Sequence, residues 1–139
     1  NYINKNRNMI TYINKRIPKQ PPEKDYGNKE YKRYLINHHK INPERFIEKR
    51  ATQMLFRLIE GDGKALYLFG IEDNGEIRGM NKNQLKGTIS NLKKISKSIK
   101  ANIKSFRIYT GGKGYVCTAR IQLPYDIFTN IINTINFTF

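Results

Sequence analysis

The stretch from Asn42 to Gly61 constrains the fold of this chain more than any other. Asn42 can cap free backbone amides, and Pro43 at the first helical position loses no hydrogen bond. Ile47, Ala51, Met54 and Leu58 then recur at helical spacing. The spacing predicts a helix over 43–60 with one apolar stripe, stopped by Gly61 in the left-handed conformation. Arg50, Gln53 and Arg57 fall on its opposite side. Directly afterwards, residues 64–72 are dense in Leu, Tyr, Phe and Ile and short enough for a buried strand. Asp73-Asn74-Gly75 is a tight-turn signal, and it leads into a second strand over 76–80.

The other elements follow from the same two periodicities. Tyr31, Arg33 and Leu35 alternate with Lys32, Tyr34 and Ile36, a strand that begins near residue 30 and ends at Asn37-His38-His39. Leu85, Ile89, Leu92, Ile95, Ile99 and Ile103 fall at three- and four-residue steps and predict a second helix over about 83–101. Strands over 103–109 and 115–123, joined by Gly111-Gly112-Lys113-Gly114, close the domain as a hairpin. The order β-α-β-β-α-β-β suits an α+β fold: one mostly antiparallel sheet with two helices packed on one face, a ferredoxin-like sandwich.

With 139 residues there is room for one such domain, at 30–123. Residues 1–29 lack either periodicity and carry seven Lys and Arg. They read as a flexible basic arm ended by Pro18-Lys19-Gln20-Pro21-Pro22, or else as a short helix or edge strand built on Ile3, Ile10, Ile13 and Ile17. Residues 124–139 read as a linker and the first strand of a following domain.

Charge points to the partner. Lys and Arg number 26 against 11 Asp and Glu, a formal +15 that attracts polyanions, with nucleic acid or the ribosome first among them. Heavy use of Asn, Ile and Lys also fits an AT-rich coding bias, which raises the Lys count without selection for binding. The single Cys117 excludes an internal disulfide, and no apolar run of membrane-spanning length is present. Together with the absence of a secretory-type apolar segment at the start, this predicts a cytoplasmic protein without a membrane span. Between residues 77 and 125 there is no Asp or Glu, yet there are eleven Lys and Arg. Lys86, Lys93, Lys97, Lys100 and Lys104 lie at steps of seven, four, three and four, so on one helix they would share a face. Their mutual repulsion, a few tenths of a kcal/mol per pair at roughly this spacing, would be relieved by a polyanion. With Arg107 they form the candidate nucleic-acid-binding set, suited to phosphate contact more than to base reading. The competing reading is a solvated lysine-rich face. Tyr2, Tyr12, Tyr26, Tyr31 and Tyr34 can stack on bases but are too scattered for a defined platform.

No catalytic, cofactor or metal site is expected. A phosphate-binding loop needs Gly-x-x-x-x-Gly-Lys followed by Ser or Thr, so that backbone amides, an ammonium and a Mg-binding hydroxyl converge on phosphates; the chain has none. Gly111-Gly112-Lys113-Gly114 lacks that spacing and reads as a hairpin turn, and Gly61-Asp62-Gly63 as a helix stop. His38-His39 has no ligand cluster around it, and Cys117 sits in a predicted strand as a packed side chain. Glu60, Asp62, Glu72, Asp73 and Glu76 are the only acidic concentration, either solvated or able to hold a divalent ion.

Thr52-Gln53-Met54, Arg57-Leu58, Glu60-Gly61, Gly63, Ala65, Tyr67 and Gly70-Ile71-Glu72-Asp73-Asn74-Gly75 followed by Gly79 resemble the segment ahead of the GTPase domain in the GTP-binding protein 1/2 family. The resemblance is densest over 50–80 and extends more weakly over 30–123. It implies a parent akin to elongation-factor-Tu-like translational GTPases, with GTP and Mg bound in a separate domain and RNA, tRNA or the ribosome as partner. It also implies that residues 135–139 lead into a phosphate-binding loop further along a longer polypeptide. A second resemblance, of residues 70–79 to the turn of Schlafen-type AlbA-like domains, implies a nucleic-acid binder or nuclease with Glu72 and Asp73 in its centre. A third reading is a docking domain in which Arg50, Gln53 and Arg57 contact the parent's own GTPase domain.

Overall fold

The computed structural model describes residues 9–38 and 40–138. His39 of the expected histidine loop, and Lys5 and Arg7 of the expected arm, lie outside the described residues. The elements in order are β1 (Ile10–Ile13), β2 (Lys29–Lys32), α1 (Pro43–Glu60), β3 (Lys64–Phe69), α2 (Lys82–Ser98), β4 (Asn102–Tyr109), β5 (Val116–Gln122) and α3 (Tyr125–Thr138). The strands form one sheet in the order β1-β4-β5-β3-β2. β5 pairs antiparallel with both β4 and β3, while the outer strands β1 and β2 pair parallel with β4 and β3. The expected α+β architecture is present; the pairing is mixed where a mostly antiparallel sheet was expected, because β1 and β2 enter at the two edges.

α1 forms as its sequence dictates. The Asn42 side chain accepts from the Glu44 amide at 2.9 Å, and Pro43 opens the helix. The stop differs from expectation: Gly61 has φ −105°, and the left-handed residues are Asp62 and Gly63. α2 begins with a capping box, Asn81 accepting from the Gln84 amide and Gln84 accepting from the Asn81 amide. It ends at Ser98, earlier than expected, because Lys100 at φ 59° turns the chain and the Ala101 amide closes onto the Ser96 carbonyl at 2.9 Å.

Both helices lie on one face of the sheet. Met54 and Leu58 of α1 and Leu92 and Ile95 of α2 are buried in one cluster with Tyr67, Phe69, Phe106, Ile108, Cys117 and Ile121. At about 25 cal/mol per Å² of apolar surface, full burial of each such side chain contributes roughly 1.5–3 kcal/mol. The Cys117 thiol is pushed up to about 12 by burial, consistent with a packed side chain. The strand expected over 30–36 pairs only as far as Lys32. Beyond it the chain leaves the sheet: the Leu35 amide donates to Thr88 Oγ1 at 2.9 Å and Asn91 Nδ2 donates to the Leu35 carbonyl at 2.7 Å.

Three further expectations are corrected. Residues 76–80 are not a full strand; only isolated bridges join Ile71 to Ile77 and Met80 to Tyr115, because both positions beside β3 are taken by β5 and β2. Residues 9–29 are not a free arm: β1 lies within them as an edge strand on β4, and Ile17 is buried. Residues 135–138 are helical, since α3 packs Ile127, Phe128 and Ile131 against the main core.

Candidate functional site

The sheet face away from the helices is only partly covered. From the end of β1 the chain crosses this face to reach β2 at the opposite edge, burying Ile17 against Tyr31, Leu68, Ile71 and Val116. Specific contacts fix this strap. The Glu23 amide donates to the Asp73 carbonyl at 2.7 Å, and the Tyr31 hydroxyl donates to the Pro21 carbonyl at 2.9 Å. Gly75, at φ 91°, lies so close to the strap that a Cβ there would sit 2.4 Å from the Gln20 carbonyl oxygen. That closeness, with the left-handed φ, restricts the position to glycine.

Arg57 is the centre of the strap's anchorage. Only 4% exposed, its guanidinium donates from Nε to Glu30 Oε1 at 2.9 Å, from Nη1 to the Tyr26 and Gly27 carbonyls, and from Nη2 to the Lys24 carbonyl. Glu23 stands 3.8 Å away. Burial raises the Glu23 carboxyl above its usual range, against the lowering effect of the bond it accepts from the Tyr31 amide and of Arg57. Arg57 therefore does not face outward beside Arg50 and Gln53, and the expectation that it contacts another domain is corrected. Four of its five N–H donors meet a carboxylate and three carbonyls that β2 and the strap present inside the fold.

The acidic turn is engaged in the same way. Glu72 forms ion pairs with Arg33 and Arg78, each at 3.4 Å, and Glu76 pairs with Arg78. The turn closes through Gly75 N–H to the Glu72 carbonyl at 2.8 Å and the Glu76 amide to Asn74 Oδ1 at 2.9 Å. Among the described residues no group of three His, Cys, Asp or Glu side chains is placed to hold a metal ion. Glu60 accepts weakly from the Gly27 amide at 3.5 Å, and the Thr52 hydroxyl donates to the Glu48 carbonyl.

The other half of the sheet has a different electrostatic character. Every ion pair among the described residues draws its cation from Lys32, Arg33, Arg57 or Arg78. Past Arg78, all ten cations as far as Arg120 stand without an ion pair among the described residues, and that stretch of sequence holds no acid. Lys86, Lys93 and Lys97 are exposed on one face of α2. Lys100 and Lys104 do not continue that face, as the spacing suggested: Lys100 lies in the turn and Lys104 is the bulged residue where the β4 register shifts. Arg107 projects from the open face of β4, between Thr11 of β1 and Thr118 of β5. Arg120, also exposed, lies on the same face between Leu66 and Ser105. The two arginines are diagonal neighbours, a placement that sets Cα atoms about 7–8 Å apart. Two always-protonated forks on an open sheet suit bidentate contact with phosphate.

No protein-family model matches the chain. Over 91 residues it is 36% identical to GTP-binding protein 2 of Mus musculus and, to the same extent, to GTP-binding protein 2 of Homo sapiens. The matched segment is similar to these GTP-binding proteins. It covers 65% of this chain, which spans only 14% of the length of either relative.

The residues that carried this family resemblance in the sequence prove to have structural work. Arg57, Gly75 and the Glu72 turn hold the strap and the β2 edge, and Gly70 at φ 87° ends β3 where the chain leaves the sheet. Arg120 was absent from the candidate set, as was Tyr109, although strand alternation along 103–109 and 115–123 puts both on the face of Arg107. The signal lies in the period of two along both strands.

Proposed function

We propose that this domain is a non-catalytic accessory module of a translation-factor-like GTP-binding protein, and that its cationic half engages RNA, as tRNA or on the ribosome. GTP and Mg are bound, on this reading, by a separate domain of the parent, in the cytoplasm. The observation that carries the proposal is the division of charge. At the β2 edge Lys32, Arg33, Arg57 and Arg78 pair with carboxylates of the fold, whereas the cations on α2, β4 and β5 face outward without an ion pair among the described residues. Arginine and lysine so placed supply the sequence-independent, salt-sensitive part of nucleic-acid binding.

The test is binding of the chain to tRNA and to ribosomes across a salt series, beside a Lys93→Gln/Lys97→Gln/Lys100→Gln variant. A steep salt slope that flattens in the variant is expected, and no binding near physiological salt would overturn the reading. The second reading, docking on the parent's own GTPase domain, has one observation in its favour. Ile47, Ala51, Leu55 and Ile99 line an apolar recess between α1 and the end of α2. Failure to bind RNA would favour it.

A further inference from the structure

Where the strap passes the tip of the β4–β5 hairpin, the two enclose a cleft of about 310 Å³. Its apolar walls are Ile17 and Val116, both buried, and Ile77, which is 41% exposed; Tyr109 adds an aromatic ring. Arg16 and Lys113 also line it, both exposed and neither in an ion pair among the described residues. Among the described residues no acidic side chain lines it. The cleft is built by backbone contact rather than left by loose packing. The Gly111 amide donates to the Lys15 carbonyl at 3.2 Å, and a Cβ on Gly111 would lie 2.3 Å from the Lys15 backbone. On the other side, a Cβ on Gly79 would lie 2.2 Å from the Lys113 carbonyl oxygen. The hairpin tip is thus clamped between strap and turn by glycines that allow backbones to meet.

A ligand for such a place is flat and apolar at one end and anionic at the other. The volume sits at the low end of small-ligand sites, which run from about 300 Å³, so it admits one planar group and no larger assembly. Tyr109 and Arg107 lie on the same sheet face two residues apart, so a chain leaving the cleft passes over Arg107 towards Arg120. We propose that this cleft takes one unpaired nucleotide of the RNA, its base held against Ile17, Ile77 and Tyr109 and its phosphate by Arg16 and Lys113. The inference rests on the RNA reading above and sharpens it. A base locked in a duplex cannot enter, since it would first have to leave its stack.

The test uses a short fluorescent RNA single strand and the blunt duplex of the same sequence, titrated at one salt concentration with the wild-type chain, Ile77→Ser and Lys113→Gln. Ile77 and Lys113 are exposed, so both variants are expected to fold. The proposal predicts that the wild type prefers the single strand, and that Ile77→Ser weakens single-strand binding by about tenfold, the scale of one lost base contact, while leaving duplex binding unchanged. Lys113→Gln should weaken the single strand less. Equal binding of both RNA forms, or an Ile77→Ser variant that binds the single strand like wild type, would overturn the cleft while leaving the RNA reading standing. Complete displacement of the strand by excess free adenosine monophosphate would assign the cleft to a free nucleotide and also overturn the proposal. Absence of binding to either RNA would overturn both.

Discussion

The β2 edge and the β4–β5 side of the sheet use their cations in opposite ways. At the β2 edge, Arg57 is buried under the strap and engages Glu30 and three backbone carbonyls, and Arg33 and Arg78 share Glu72. At the β4 side, Arg107 and Arg120 lie open on the sheet and the lysines of α2 line its flank. The first arrangement closes the fold, because desolvated charge is tolerated only when its donors and acceptors are matched. The second leaves charge without an ion pair among the described residues. Charge alone therefore does not mark a binding surface; what distinguishes the two regions is whether the fold itself supplies the counter-charge.

The contrast can be broken first at its strongest point. Arg57→Met leaves buried Glu30 with only the longer Lys32 ion pair at 3.6 Å and the strap carbonyls without donors, and is expected to cost about 3–5 kcal/mol in urea unfolding. A loss below 1 kcal/mol would show that the strap does not depend on this anchor. Gly75→Ala comes next, at about 1–3 kcal/mol for a left-handed non-glycine residue, with further loss from its contact with the Gln20 carbonyl. Accelerated proteolysis within residues 14–28 would report the strap lifting.

A smaller effect is expected from Glu23. Its folded pKa is raised, so just above the usual carboxylate range the folded chain binds more protons than the unfolded one. This contribution to stability is present at low pH and is lost as pH rises through the raised value. Glu23→Gln should remove that slope, and an unchanged stability-versus-pH curve would argue that the strap carboxylate is more solvated than its surroundings indicate. Smallest of all, Arg107→Gln and Arg120→Gln should change stability by less than about 0.5 kcal/mol, as exposed side chains without partners do.

Much of the fold was legible in the sequence where one period dominated. α1 follows from its cap and stripe, and β4 and β5 from alternation either side of four residues rich in glycine. The strap was not legible, since Ile17 is a single apolar residue among polar ones and its burial depends on a sheet assembled from distant strands. Arg57 was misplaced for a related reason: helical spacing puts it on the polar side of α1, and only the strap converts that side into an interior. Helical spacing likewise carried Lys100 and Lys104 into α2, where the left-handed turn at Lys100 has already ended it. Residues 135–138 are short and apolar, a pattern that strand and helix share; their place in a 14-residue helix decides between them.

The most direct measurement compares two variants of equal charge loss. Binding of tRNA is followed across a salt series for the wild type, for Arg107→Gln/Arg120→Gln and for Arg33→Gln/Arg78→Gln. If the open side is the contact surface, the first variant loses affinity and its salt slope falls by about one per arginine, while the second keeps the wild-type slope. Equal losses in both variants would mean that binding follows net charge alone, and would contradict the division of labour between the β2 edge and the β4–β5 side.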